Sequence, residues 1–193
     1  MKLPHLLASI LTATAFAAHA EISPIHLTVE LISKSESKPA AKGQVSYDHT
    51  QTRSLKIKVE NTSAQAFDGV TVKYWFLGHS MTEHGTKIIA NGERKATLEP
   101  RGKDLIESEV VSKQYTEAHN NVATAGKGGK PATPGKATKV AASGERILGY
   151  AVRAVKDGKV LTEYYSDTAY KAVIDASGAG APAAAPGAKP VKK

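Results

Sequence analysis

Three stretches of this chain place an apolar residue at every second position. Ile25, Leu27, Val29 and Leu31 alternate with His26, Thr28 and Glu30. Leu55, Ile57 and Val59 alternate with Lys56, Lys58 and Glu60, and Val70, Val72, Tyr74 and Phe76 alternate with Thr71, Lys73 and Trp75. Successive side chains of a strand point to opposite faces, so each run has one face to bury and one to leave outside. Nothing in the body carries a long run with apolar spacing of three and four, the pattern of an amphipathic helix. Further strands are predicted near 43–48, 86–90, 94–99, 104–112, 146–156, 159–166 and 168–174. Asp157-Gly158 reads as a two-residue hairpin turn and Asn91-Gly92 reads the same way, since both accept positive φ at low cost. Leu98-Glu99-Pro100-Arg101-Gly102 reads as a turn between strands, with Pro100 fixing φ.

Short strands with one apolar face each predict an all-β fold. The expected architecture is an antiparallel β-sandwich of about seven to nine strands, immunoglobulin-like in the broad sense, with a closed barrel as its rival. The chain has no cysteine, which excludes disulfides, thiolate metal sites and a thiol nucleophile. Core burial alone must hold it together.

The ends differ from the body. Met1-Lys2, an apolar run from Leu3 to Ala18 and Ala18-His19-Ala20 have the form of a secretory signal, with cleavage expected after Ala20. The product is then exported, periplasmic or extracellular, with no transmembrane segment in the mature chain. The sandwich domain is expected over 21–175. A flexible Lys/Gly/Pro-rich insertion is predicted at 119–143, and a disordered Ala/Pro/Gly/Lys tail at 176–193. Mature residues 21–193 carry 25 basic and 18 acidic side chains. The insertion holds four of those lysines (Lys127, Lys130, Lys136 and Lys139) and the tail three (Lys189, Lys192 and Lys193), neither with an acid. The body between them is formally neutral. The pI near 9.5 therefore belongs to the basic segments and does not describe a basic groove.

Over about residues 53–111 the sequence resembles exported bacterial immunoglobulin-like modules. Leu55 to Ser63 is a strand ending in Asn61-Thr62-Ser63, Phe67 to Phe76 is a second apolar strand, and Leu98 to Gly102 is a later turn. The FxLyD domains are the nearest in pattern, with Pro100-Arg101-Gly102 here where that family has Pro-Gly. Family-3 cellulose-binding modules share the first two parts. The resemblance implies a sandwich and an exported, accessory role; no functional residues carry over.

Trp75 is the most informative single residue. With Val70, Val72, Tyr74 and Phe76 facing the core, it falls on the opposite face with Lys73. A flat aromatic there serves to stack on a sugar or grip a partner, unless a loop or terminal strand covers it. Tyr164 and Tyr165 are candidates to extend that platform. Lys127, Lys130, Lys136 and Lys139 are candidate contacts for anionic polymers, a weak and salt-sensitive attraction. Neither basic segment holds an aromatic residue, so no specific nucleic-acid binding is expected.

His79, Glu83 and His84 match no closed metal site, and neither metal nor cofactor is expected. Glu107 and Glu109 read as solvated neighbours on a strand rather than a glycosidase pair. No nucleophile elbow, phosphate-binding loop or metalloprotease motif occurs. Asn61-Thr62-Ser63 has the form of a glycosylation acceptor. The expected function is a non-enzymatic exported protein with a binding or structural accessory role at the bacterial envelope, its partner an envelope protein or a polysaccharide. A carbohydrate-binding module using Trp75 is the first alternative, and a hydrolase with an unrecognised site the second.

Overall fold

The computed structural model describes residues 23–39, 47–121 and 138–178. These form ten strands and one helix: β1 (Ile25–Pro39), β2 (Tyr47–Asn61), β3 (Phe67–Ser80), β4 (Lys87–Leu98), β5 (Lys103–Glu107), β6 (Val111–Thr116), β7 (His119–Asn121), β8 (Thr138–Val140), β9 (Ser143–Lys156), β10 (Lys159–Tyr165) and α1 (Tyr170–Ala176). Every ladder is antiparallel. The protein is mostly β, built from open antiparallel sheets, with one short helix among the described residues.

Two layers share a core. In the first, β2 pairs β1 along its whole length on one side. On the other side it pairs β6 at its start and β5 at its end. In the second layer the order is β10-β9-β3-β4. Strand β9 belongs to both, because Ser143 and Gly144 pair with β6 before the rest of the strand joins β3. The predicted alternation is what closes the layers together: Leu55, Ile57 and Val59 from β2 meet Val70, Val72, Tyr74 and Phe76 from β3, all buried. At roughly 1.5–3 kcal/mol per fully buried large apolar side chain, these seven residues contribute much of the cohesion of a thiol-free chain.

The turns obey local chemistry where the backbone demands it. Asp157 and Gly158 have φ of 49° and 80°, the two positive values a tight right-twisted hairpin needs, and β9 and β10 meet across them. The two ends of the motif over 53–111 form one corner. Asn61 donates from Nδ2 to the carbonyls of Gln65 and Glu99 at 2.6 and 2.9 Å, and accepts from the Ser63 backbone N–H and hydroxyl at 2.9 and 2.8 Å. Its side chain is buried and fully used in that corner, which closes it to a glycan.

Four expectations are corrected. Residues 168–174 are not a strand: Tyr170, Val173 and Ile174 recur at three and four, and Tyr170–Ala176 is helical. Asn91-Gly92 is not a hairpin, because β4 runs straight through it. The glycine serves packing instead: it lies opposite Tyr74, and a Cβ there would stand 2.3 Å from the Tyr74 hydroxyl. The insertion at 119–143 is structured at its ends, where β7 pairs β8, and Ala176 belongs to α1 rather than to a tail. The single strand expected over 104–112 breaks into β5 and β6. The Ser108 hydroxyl caps the break, accepting from the Leu55 N–H at 2.8 Å and donating to the Glu109 carbonyl. The leader expected at 1–20, residues 21–22, residues 40–46 with most of the strand predicted near 43–48, and residues 122–137 and 179–193 lie outside the described residues.

Candidate functional site

The outer face of the second layer carries most of the candidate chemistry, and strand register sets its order. One row reads Glu93, Lys73, Arg153, Glu163 across β4, β3, β9 and β10; the next reads Asn91, Trp75, Ala151, Tyr165. Trp75 does lie opposite the main core, as alternation requires. It is nevertheless only 2% exposed, and the expectation of an outward binding platform is corrected. Ile174, Tyr170 and Val173 of α1 pack in the same cluster as Trp75, Leu77, Ala151 and Ile88, so the short helix covers the ring.

Arg153 fastens that cover. Its side chain is 3% exposed, with the guanidinium carbon 5.8 Å from the Trp75 ring centroid and 5.6 Å from that of Tyr165. Nε donates to the Tyr165 hydroxyl at 2.8 Å, and a terminal nitrogen donates to the same oxygen. That terminal nitrogen also reaches Asp175 of α1 at 2.6 Å. The Tyr165 hydroxyl in turn donates to Glu163 at 2.7 Å, and Glu163 lies 3.2 Å from Arg153. Lys171 of α1 bridges Glu163 at 3.1 Å and Asp175 at 3.5 Å.

The charges answer one another. Burial alone would lower the Arg153 pKa, but hydrogen bonds to Asp175 and Tyr165 outweigh it and raise the value. Burial alone would raise Glu163, and the hydrogen bonds from Tyr165 and Lys171 bring it below the ordinary glutamate value. The hydrogen bond from Arg153 lowers Asp175. Burial, then the bond to Glu163, raises Tyr165, which stays a neutral donor. A buried arginine paired in this way orients elements.

Beside the clasp, Lys73, Trp75, Asn91, Gly92 and Glu93 line a shallow groove of about 260 Å³. Lys73 and the buried Trp75 both line this groove. Tyr165 lies in the clasp. Tyr164 does not join them: adjacent strand residues face opposite ways, and it stacks on Tyr150 at 5.9 Å on the other side of the sheet. Burial, then the hydrogen bond to Tyr164, pushes the Tyr150 hydroxyl up to about 12.

Lys139 is exposed on β8, while Lys127, Lys130 and Lys136 lie outside the described residues. His79, Glu83 and His84 line an open polar loop, and no three His, Asp or Glu side chains gather for a metal among the described residues. Glu109 follows β5 and pairs with exposed Arg94 at 3.2 Å. Sequence reasoning missed Arg153, although a lone cation inside Tyr150-Ala151-Val152-Arg153-Ala154-Val155 is the signal for a buried charge with a waiting partner.

The fold and this face define a mostly-β antiparallel protein with a helix clasped to one layer. No protein-family model matches the chain, and no curated protein matches it either. A solved structure of a protein from Akkermansia muciniphila is similar at 16% identity over 74% of this chain and 70% of that one, with a TM-score of 0.31. No helix among the described residues is long and apolar enough to cross a membrane.

Proposed function

We propose that the chain is an exported, non-enzymatic β-protein with a binding or structural accessory role at the bacterial cell envelope. The observation that carries this reading is the clasp. Arg153, Tyr165, Glu163, Lys171 and Asp175 direct their hydrogen bonds at one another to hold α1 on the sheet, an arrangement suited to a scaffold. The signal-like leader and the likeness over 53–111 to exported bacterial modules support the compartment. Expression of the full chain in a bacterium, followed by fractionation and mass spectrometry, tests it. The expected product begins at Glu21 and is recovered outside the cytoplasm; retention of residues 1–20 on a cytoplasmic protein overturns the reading.

The groove beside Trp75 favours a second reading, a carbohydrate contact through Lys73, Asn91 and Glu93. Polysaccharide pull-down with Lys73→Ala and Glu93→Ala checks it, and equal retention of both variants and the parent ends it. Lys127, Lys130, Lys136 and Lys139 would add a salt-sensitive attraction to anionic polymers. Heparin elution of a chain lacking 119–143 at unchanged salt removes that role.

A further inference from the structure

Strand β9 is paired unevenly. On one side β3 accompanies it from Glu145 to Val155. On the other, β6 pairs only Ser143 and Gly144, and β10 begins at Ala151. Side chains close the interval where the two layers part. Gln51 Oε1 accepts the Ile147 N–H at 2.9 Å, and Ser166 Oγ accepts the Tyr150 N–H at 2.9 Å.

Arg53 lies two residues beyond Gln51, on the same face of β2, and is partly open to solvent. Its Nε is buried and has no hydrogen-bond partner among the described residues. Its electrostatic neighbours are Arg146, Tyr115 and Tyr170; burial first and the Arg146 charge second pull its pKa below the ordinary arginine value. Arg146 is placed by Tyr115, whose ring lies 5.4 Å beneath its guanidinium and stacks on His49 at 4.8 Å. The acids of this end are engaged or remote. Glu145 is taken by Lys113 at 2.7 Å and Lys87 at 2.9 Å, and Glu117 meets Arg146 only at 3.8 Å with both side chains exposed.

Arg53 thus carries a desolvated nitrogen in the field of Arg146, and no carboxylate of the described residues is set against it. Both features destabilise the charged form, and an anion delivered from outside relieves both. The planar guanidinium fork suits the paired oxygens of carboxylate and phosphate alike. We propose that Arg53 and Arg146, with Tyr170 beside them, form a binding site for an oxyanion group, carboxylate or phosphate, where the two layers part along β9. The site is independent of export and of the groove beside Trp75.

The test uses the full chain labelled at arginine nitrogen, following the Arg53 Nε–H resonance by NMR. Inorganic phosphate is titrated in one arm and acetate in the other, with sodium chloride at matched ionic strength as the reference. The expected result is a saturable movement with phosphate or acetate and none with chloride; the arm that saturates at lower concentration identifies the group. Arg146→Met weakens binding roughly tenfold or more, as loss of a charge-assisted hydrogen bond requires. Arg94→Met, on an exposed pair elsewhere, changes nothing. Saturation by neither probe, an equal response to chloride, or unchanged affinity in Arg146→Met overturns the site. Fluorescence of the single tryptophan, Trp75, reports whether each variant is folded. Because the resonance is read in the unaltered chain, a variant that fails to fold leaves the primary titration decisive.

Discussion

Arg153 and Arg53 carry the same charge into places where water is scarce, on strands β9 and β2. Around Arg153, the Tyr165 hydroxyl and the Asp175 carboxylate are within hydrogen-bond reach and Glu163 stands 3.2 Å away, so burial of the cation fixes a helix in place. Around Arg53 stand a second arginine and tyrosines, and its Nε has no partner among the described residues. The difference teaches how to read a buried cation. One whose partners are supplied by the chain organises the chain, and one whose partners are missing marks a place for something else.

The largest expected effect is on the paired member. Arg153→Met keeps the volume but strips Asp175, Glu163 and Tyr165 of their common donor, and should lower the unfolding free energy by about 3 kcal/mol. Urea titration followed by Trp75 fluorescence checks this; a loss below about 1 kcal/mol would reduce the clasp to the rank of a surface ion pair. Ile174→Ala attacks the same cover from its apolar side. It should cost about 2 kcal/mol, at the low end for a buried isoleucine because a helix of only seven residues can undock locally. Its signature is a red-shifted Trp75 emission before global unfolding.

Acid supplies a finer comparison. Glu163 and Asp175 have folded-state pKa values below their ordinary 4.5 and 3.8. Their contribution is therefore complete above the ordinary carboxylate range and is lost as pH falls through the lowered values. Unfolding free energy should drop on acidification below about pH 4.5, and the drop should be shallower in Arg153→Met, as urea midpoints across pH 2 to 6 would record. Parallel slopes would disconnect the carboxylates from the arginine. The smallest effect belongs to Arg53→Met. Removing an unanswered cation should leave stability unchanged or raise it, within about 1 kcal/mol. A loss above about 2 kcal/mol in the same titration would mean that the chain does supply Arg53 with a structural partner.

The layers were legible in the sequence because their signal is local. Leu55, Ile57 and Val59 need only alternate to be placed in the core, and Asp157-Gly158 needs only its own φ preferences to turn the chain. What failed depended on distant residues. Asn91-Gly92 has a hairpin's composition, yet Tyr74 on the neighbouring strand is what requires a residue without Cβ there. Trp75 was placed on the correct face, but whether that face is open depends on a helix nearly a hundred residues later, too short to show a sustained period. Tyr164 and Tyr165 are adjacent in sequence, yet alternation alone assigns them to opposite sides of the sheet. Arg53 gave no sign at all. It sits among Gln51, Thr52 and Ser54 like any surface residue, and only the assembled layers reveal that its nitrogen is enclosed.

Strand β9 also sets a timetable. Ser143–Lys156 is the bonded neighbour of β3, which ends at Ser80, and of β6, which ends at Thr116. A chain emerging amino end first therefore cannot complete the second layer, or join it to the first, until its last third is available. Contacts so far apart in sequence make folding slow, and leave one edge of β3 without its neighbour for longer. If the chain is exported as proposed, that delay would keep it threadable until the whole of it has crossed.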